Sequence, residues 1–437
     1  MKKKTRIFIC VGCGVLLMIS WAVAISSESA AEKQYNLIRE AAALTNDGIY
    51  ILAVPLLEEA AEIDAAHTIA AEEELKRVYL ALIDKQGFRR KYTSLLEKQM
   101  SRRNAHPDVF AEMAEYYLGI SRIPEALETL KAGIEKTGSN ELVAIYESSR
   151  YAFELSRTTY GFSAAIYGST VQVETDGLWG IARADGTILI PCQYDTISTF
   201  SAGRAIVRKG NDIYAVDRDD NRVAVLSGSA TGFGNFADNR IPLLMGDGWR
   251  RATGDFIIGT TAFEEIGMYC NGYAAAKSGG KWGVVDLGSQ WLIPAEYDEI
   301  IMDELGRCYA RGAVFARRGD AVYLIVDGMK LEDIYEDAHP FSSEGYAAVK
   351  RNGKWGFIDT NGVLMIQYTF DDALSFGQHL AAVKTQGYWG YISLQGHLVI
   401  EAAFLEAKSF SDGSAPVLTE RGWQFISLLE FKKGVSL

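Results

Sequence analysis

Between Gly345 and Gly413 one pattern is written nearly twice. GYAAVKRNGKWGFIDTNGVLMIQYTFDDALSFG starts at Gly345, LAAVKTQGYWGYISLQGHLVIEAAFLEAKSFSDG starts at Leu380, and Trp389-Gly390 follows Trp355-Gly356 by 34 residues. Self-similarity at a fixed period of this size means a repeat architecture, in which each unit is too small to bury its own apolar face and is stabilised by stacking on the next. The template can be laid along the chain from about Tyr160 to the C-terminus. Its anchors are Trp179, Tyr214, Trp249, Trp282, Tyr323, Trp355, Trp389 and Trp423, spaced 35, 35, 33, 41, 32, 34 and 34 residues. Eight units fit.

Each unit reads as three to four short strands. Tyr346–Lys350 alternates apolar and polar residues and is closed by Asn352-Gly353, a hairpin turn in which both residues tolerate positive φ. A second strand starts at Trp355, turns at Asn361-Gly362, and a third follows. Eleven residues past the anchor stand Ile190, Ile293, Ile366 and Ile400; Pro191 and Pro294 follow two of them and are expected to end the ladder, because proline has no N–H to give it. Rings recur at offset 15, as Tyr194, Tyr297, Phe370 and Phe404, and at offset 21, as Phe200, Phe376 and Phe410. Aromatics at a fixed phase are what packing between units demands. Trp179, Trp249, Trp282, Trp355, Trp389 and Trp423, with the offset-15 and offset-21 rings, are therefore expected to form the core between units. The glycine after tryptophan is expected to mark close approach of a neighbouring unit's backbone.

These residues resemble the WG-repeat (KWG-repeat) family of bacterial proteins, whose unit reads G-K-W-G-x-I-D-x-x-G-x-x-I-P-x-x-Y-D. The resemblance is sharpest at Gly280-Lys-Trp-Gly-Val-Val-Asp286 with Leu292-Ile-Pro-Ala-Glu-Tyr-Asp298, and at Gly353-Lys-Trp-Gly-Phe-Ile-Asp359. The units on Tyr214 and Tyr323 lack the Trp-Gly pair, and the unit on Trp249 lacks the glycine. The resemblance implies a repetitive β-architecture with an interaction role, and it supplies no catalytic residues. The expected form is a propeller-like array of about eight short antiparallel units, the alternative being an open β-solenoid. If the ring closes, a strand within Ala164 to Val173 is expected to complete the seam.

From Ala30 to Arg157 the composition is instead Ala, Glu, Leu and Lys at helical spacing. Ala41, Leu44, Ala53, Leu57 and Ala60 align with Leu80, Ile83, Tyr92, Leu96 and Gln99, and again with Ala114, Tyr117, Ala126, Leu130 and Gly133, at identical internal offsets. Asn46-Asp47-Gly48, Gly87 and Gly119 fall between paired helices as turn signals. The pattern resembles the tetratricopeptide repeat, and Ser139 to Arg157 reads as its capping helix. A plain helical bundle is the alternative. The resemblance implies a peptide-binding groove, in which Tyr116 and Tyr117 are the candidate contacts.

The first 29 residues form a third region. Lys2, Lys3, Lys4 and Arg6 precede an uncharged run of 19 residues, Ile7 to Ile25, just long enough to reach across a hydrocarbon core at about 1.5 Å per residue. The expectation is a signal anchor with the bulk of the chain extracytoplasmic, or a signal peptide cleaved near Ala24. The net charge of −12 opposes binding to nucleic acid or to an anionic lipid surface. Cys192, Cys270 and Cys308 fall at non-equivalent places in the repeat and spell no disulfide framework.

The overall expectation is an α + β multidomain chain: basic flank and membrane helix at 1–29, helical repeats at 30–157, and a β-repeat domain at 160–437. No catalytic constellation is legible. His67, His106, His339, His379 and His397 include no HxH or HExxH pairing and read as surface or turn residues. Gly232-Phe-Gly-Asn-Phe-Ala237 reads as a loop, and Asp217-Arg-Asp-Asp-Asn221 as turn chemistry. Asp195, Asp298, Asp371, Asp286 and Asp359 recur by position and read as turn caps. The function expected is a non-enzymatic, membrane-anchored scaffold for an unidentified protein or peptide partner, with no cofactor or metal. The alternative is a cell-envelope polysaccharide binder, more remotely a glycoside hydrolase, with Trp291 and Tyr309 as stacking residues.

Overall fold

A computed structural model of the chain describes residues 30–226 and 230–431. The uncharged run at 7–25 lies outside the described residues. Among those described, no helix is long and apolar enough to cross a membrane. The chain divides into two compact units between Ser149 and Arg150.

The first unit holds seven helices among the described residues: α1 (30–46), α2 (Tyr50–Glu62), α3 (Thr68–Ala81), α4 (Phe88–Ser101), α5 (Pro107–Gly119), α6 (Ile123–Thr137) and α7 (Asn140–Ser149). Small residues set the helix spacing. Ala41, Ala53, Ala60, Ala114 and Ala126 are fully buried, and a Cβ at Gly133 would meet Phe110 of α5 and Leu142 of α7 at 2.7 Å. The middle pair departs from the alignment. Leu80, matched with Ala41 and Ala114, is 51% exposed; a branched side chain does not fit a close crossing, and α3 buries Ala71, Leu75, Val78 and Tyr79 instead. Gln99 is buried as a polar group, donating to Glu72 at 3.1 Å. The turn after α5 takes its positive φ at Ser121, not at Gly119.

The second unit is an eight-bladed β-propeller of four-stranded antiparallel sheets. In the first blade the strands, from the channel outward, are Phe162–Ser163, Thr170–Thr175, Leu178–Arg183 and Ile188–Tyr194. The eighth blade supplies Glu406–Ala407, Ser414–Thr419 and Gly422–Leu428 and takes its outer strand from Phe153–Leu155, ahead of the first blade. The ring is closed: Tyr160 and Trp423 exchange two backbone bonds of 3.0 Å, and Tyr160, Val171 and Ala182 share a core with Trp423 and Phe425. This excludes the open solenoid. It also moves the seam strand from Ala164–Val173 to Phe153–Leu155 and ends the capping helix at Ser149. The physical reason is topological, since the eighth blade's missing strand can come only from chain that precedes the first blade.

Each blade interface carries its own apolar cluster, including the one between the eighth and first blades. Trp355, Trp389 and Trp423 are buried, while Trp179, Trp249 and Trp282 are half-buried. Trp355 packs on Ala373, Phe376 and Val383 of the following blade. The offset-15 ring is the direct cross-strand partner of the tryptophan, as in Trp179 with Tyr194 and Trp389 with Phe404, a pairing worth about 0.2–1 kcal/mol each.

Three expectations about the repeat are corrected. The anchors Tyr214 and Tyr323 are one residue out of phase: Ile213 and Val322 pair with Arg208 and Arg317 as Trp179 pairs with Glu174, so the tyrosines hold the glycine position. Pro191 and Pro294 do not end the ladder. They sit in a bulge of the outer strand, where a missing N–H costs nothing, and pairing resumes at Tyr194 and Tyr297. That bulge, not a neighbouring unit, is what the glycine accommodates: a Cβ at Gly180, Gly356 or Gly390 would meet the carbonyl of Ile190, Ile366 or Ile400 of its own blade at 2.5, 2.7 or 2.6 Å. Where the glycine is replaced, the side chain lies on the outer strand. Arg222 and Lys330 stand over the rings of Tyr214 and Tyr323 at 4.2 and 4.3 Å, and Arg250 donates to the carbonyls of Gly259 and Thr260.

Candidate functional site

The recurrent carboxylates are spent on turns. Asp298 accepts from the Gly319 N–H of the next blade at 2.7 Å and from Lys281 of its own at 2.5 Å; Asp371 and Lys354 repeat the ion pair at 2.6 Å. Asp195 accepts from Gly210, while Asp286 and Asp359 each take two N–H groups of the following turn. Asp217 does the same with Asp219 and Asn221. The lysine and aspartate of the repeat motif thus staple the turns of adjacent blades.

The place where chemistry is not repeated is the channel. With the phase corrected, Trp282 and Val322 are 40 residues apart against 33 to 36 elsewhere. The extra residues, around Met302 to Cys308, leave the inner strand of the fifth blade and cross the channel. Asp303 builds the tip: its Oδ1 accepts from Leu305 and Arg307 N–H at 3.0 and 2.9 Å, and its Oδ2 from Arg307 Nε at 2.5 Å. Leu305 is 3% exposed and packs with Ala165, Ala237 and Met268 of three other blades, and its carbonyl accepts from Asn235 at 3.0 Å. Glu304 reaches Lys408 of the eighth blade. The Gly232–Ala237 run, expected as a loop, begins with the inner strand of the third blade (Gly232–Phe233) and supplies Asn235 to this bridge.

Above the insertion lies a cavity of about 820 Å³, open between the inner turns of blades four to eight and lined by Tyr309, Arg311, His339, Ser342, Gln378 and Lys408 among others. Burial pushes the Glu304 carboxyl up by more than Lys408 pulls it down. For Arg307, burial works against the charge, but Asp303 outweighs it and holds the guanidinium charged. His339 departs from the surface reading. Its ring stacks on Trp355 at 5.1 Å and 25°, and burial lowers its pKa against the pull of Asp337, Asp372 and Asp303.

Of the four aromatic candidates, only Tyr309 lines this cavity; it is half-buried against Tyr273 at 4.4 Å. Trp291 begins the outer strand of the fourth blade, 39% exposed, with its edge on Phe263 at 5.9 Å. In the helical unit Tyr116 stands between Tyr92 at 5.5 Å and Tyr117 at 5.8 Å, and Arg122 covers Tyr117 at 5.0 Å. Burial, then Glu112 and Glu115, pushes the Tyr92 hydroxyl up to about 12. His67 and His106 are the residues before α3 and α5. Among the described residues no group of three His, Cys, Asp or Glu side chains is placed to hold a metal ion.

The model of the WG containing repeat matches residues 179–211, 253–282, 282–303, 334–355, 355–389 and 389–423. The chain is a WG-repeat protein. The matches at 355–389 and 389–423 each run from the third strand of one blade to the third strand of the next, because the tryptophan stands near the start of that strand. No curated protein sequence matches the chain. Among solved structures it is similar to Kluyveromyces lactis Hsv2 (10% identity, TM-score 0.36, covering 60% of this chain and 96% of that one). It is also similar to apo AztD from Citrobacter koseri (12%, TM-score 0.37, 62% and 92%) and to the Neurospora crassa Pan2 WD40 domain (9%, TM-score 0.36, 63% and 92%). At such TM-scores these likenesses say nothing of what the WG-repeat chain does.

Proposed function

We propose that this WG-repeat protein is a non-enzymatic interaction scaffold whose propeller receives a protein or peptide partner at the mouth of the channel. The observation that carries the reading is the cavity of about 820 Å³ floored by the fifth-blade insertion. A concave site with a few convergent polar groups on a rigid frame is the ordinary form of a binding site. The turn residues around it vary from blade to blade, whereas the motif carboxylates are occupied in holding turns. The tyrosine cluster of α4 and α5 is a second contact surface, reserved for peptide. The basic flank and uncharged run at the N-terminus support export, with the scaffold tethered by an anchor or released by cleavage near Ala24.

A carbohydrate reading draws on the exposed Trp291. It is the weaker one, because Trp291 lies on an outer strand and Tyr309 in an inner turn, each packed on its own aromatic neighbour. A photo-crosslinking residue placed in the full chain at Tyr309, at Tyr117 or at Trp291 separates the readings. The scaffold reading expects a discrete protein adduct from Tyr309 in the native cell and none from Trp291. Adducts from Trp291 alone, or polysaccharide adducts from it, would overturn the assignment of the channel mouth.

A further inference from the structure

Two cysteines that the repeat phase keeps apart are brought together by the insertion. Its returning limb runs alongside the inner turn of the fourth blade: Met268 N–H donates to Gly306 O at 2.9 Å, and Asn271 Nδ2 donates to Tyr309 O at 3.2 Å. The backbone bond sets the two limbs alongside each other, and Cys270 and Cys308 each stand two residues beyond its ends. The backbone of Cys270 is fixed by the turn it opens, exchanging bonds with Tyr273 at 2.8 and 3.1 Å. Cys270 is half-buried and lines the cavity, whereas Cys308 is fully buried. The Cys270 thiol is among the groups that push the Cys308 thiol up, and Arg307 lies beside Cys270. Both thiols are free here, and burial pushes both up, more than the Arg307 charge draws Cys270 down.

We propose that Cys270 and Cys308 are a disulfide site that fastens the channel insertion to the fourth blade. The oxidant is a disulfide of the glutathione or thiol-oxidase class, entering through the cavity. Cys270 gives up its proton, its sulfur attacks one sulfur of the oxidant, and the other leaves as a thiol after taking a proton. Cys308 then gives up its proton and attacks the Cys270 sulfur of the mixed disulfide, expelling the second thiol. Two protein thiols are oxidised and one oxidant disulfide is reduced. The order follows from access, since only Cys270 meets solvent, and the bridge requires Cα atoms within about 4.4–6.8 Å.

The test is to incubate the full chain with oxidised glutathione, alkylate, digest and map the products by mass. The expected result is one peptide pair joined through Cys270 and Cys308, lighter by two hydrogen atoms, with Cys192 alkylated. Cys270→Ser and Cys308→Ser each abolish the pair, and Cys192→Ser leaves it intact. Backbone hydrogen exchange over Leu305 to Tyr309 is expected to slow in the oxidised chain. A stable glutathione adduct on Cys270 with Cys308 still alkylated would overturn the proposal, as would both thiols remaining free. Because the wild-type chain carries the decisive readout, a variant that fails to fold does not rescue it.

Discussion

Lys408 of the eighth blade meets Glu304 of the fifth across the channel, Nζ to Oε2 2.7 Å. The ammonium also bonds Glu406 at 3.0 Å and stands 5.1 Å from the Trp423 ring. Burial alone would favour the neutral amine, but the two carboxylates outweigh it and raise the Lys408 pKa. One charged side chain therefore ties the insertion to the blade at the seam of the ring.

Removing that charge leaves Glu304, a third of its side chain exposed, facing Asp303 and Glu406 without a cation. Lys408→Met is expected to destabilise the propeller by about 1–2 kcal/mol, water at Glu304 screening part of the cost, and adding Glu304→Gln is expected to restore part of the loss, since carboxylates left without their cation repel one another. Urea unfolding of the two single variants and the double variant measures the coupling. Because the folded pKa of Lys408 is raised, its contribution is complete below the ordinary value of 10.5 and is lost as pH climbs through the folded one. The wild-type advantage over Lys408→Met should be flat from pH 6 to about pH 10; a fall within that window would contradict the assignment.

Much of the fold was legible because packing between blades is periodic. Trp355, Phe370 and Phe376 recur at a fixed phase, and phase is what a repeat shows. Three things escaped. Tyr214 and Tyr323 are aromatic and adjacent to the position that Ile213 and Val322 hold, so residue type alone favoured the wrong register; only strand pairing distinguishes them. Phe153-Glu154-Leu155 is too short to show alternation and adjoins a helix, which hid the closing strand. The cavity was visible only as one long spacing, because an insertion announces its length and not where its Asp303 turn will point. Of the site residues, Tyr309 was named for its ring, while His339 and Lys408 carried no local signal.

Gly356 lies under the bulge of its own outer strand, and a methyl there would meet Ile366 O at 2.7 Å and Tyr368 at 3.0 Å. Backbone cannot swing aside as a side chain can. Gly356→Ala is expected to cost about 1–3 kcal/mol by overpacking. Gly246→Ala, whose added carbon meets nothing within 4 Å, is the control and should shift the urea midpoint by little. Equal effects at the two positions would mean that the glycine serves the turn and not the bulge.

The helical unit has its own acid sensor. Glu72 is fully buried. Burial pushes its carboxyl up, but bonds from Arg102 at 2.5 Å and Gln99 at 3.1 Å, with the charges of Arg102 and Lys98, outweigh burial and hold it below the ordinary value of 4.5. A depressed folded pKa means stability that is present above the unfolded value and lost as pH falls through the folded one. Helical ellipticity of the full chain should therefore weaken on acidification below about pH 4.5. Glu72→Gln should lower stability at neutral pH and flatten that acid limb; an unchanged acid slope would remove Glu72 from the account.

The closing strand makes the boundary between the units a measurable quantity. A polypeptide spanning 150–437 keeps Phe153–Leu155 and its three pairs with Ile426, Ser427 and Leu428, the Phe153 ring 6.3 Å from Phe404, and Ser156, whose N–H donates to Phe425 O at 2.8 Å and whose Oγ accepts from Phe425 N–H at 3.0 Å. One spanning 160–437 keeps all eight WG-repeat anchors and loses these, together with the bonds from Gln424 to Ser156 O and from Leu429 N–H to Ala152 O. The loss uncovers the third strand of the eighth blade, leaving its ladder groups to water and the Phe404 ring without Phe153. Half a buried phenylalanine and several net backbone bonds together are worth on the order of 3 kcal/mol. The shorter polypeptide should unfold at lower urea and, with its ring held by the Tyr160–Trp423 pair and the core around it, show faster hydrogen exchange at Trp423 to Leu428. Should both unfold at the same urea concentration with the same exchange, ring closure would rest on the core of Tyr160, Trp423 and Phe425 alone, and Phe153–Leu155 would be a tether between the units rather than part of the propeller.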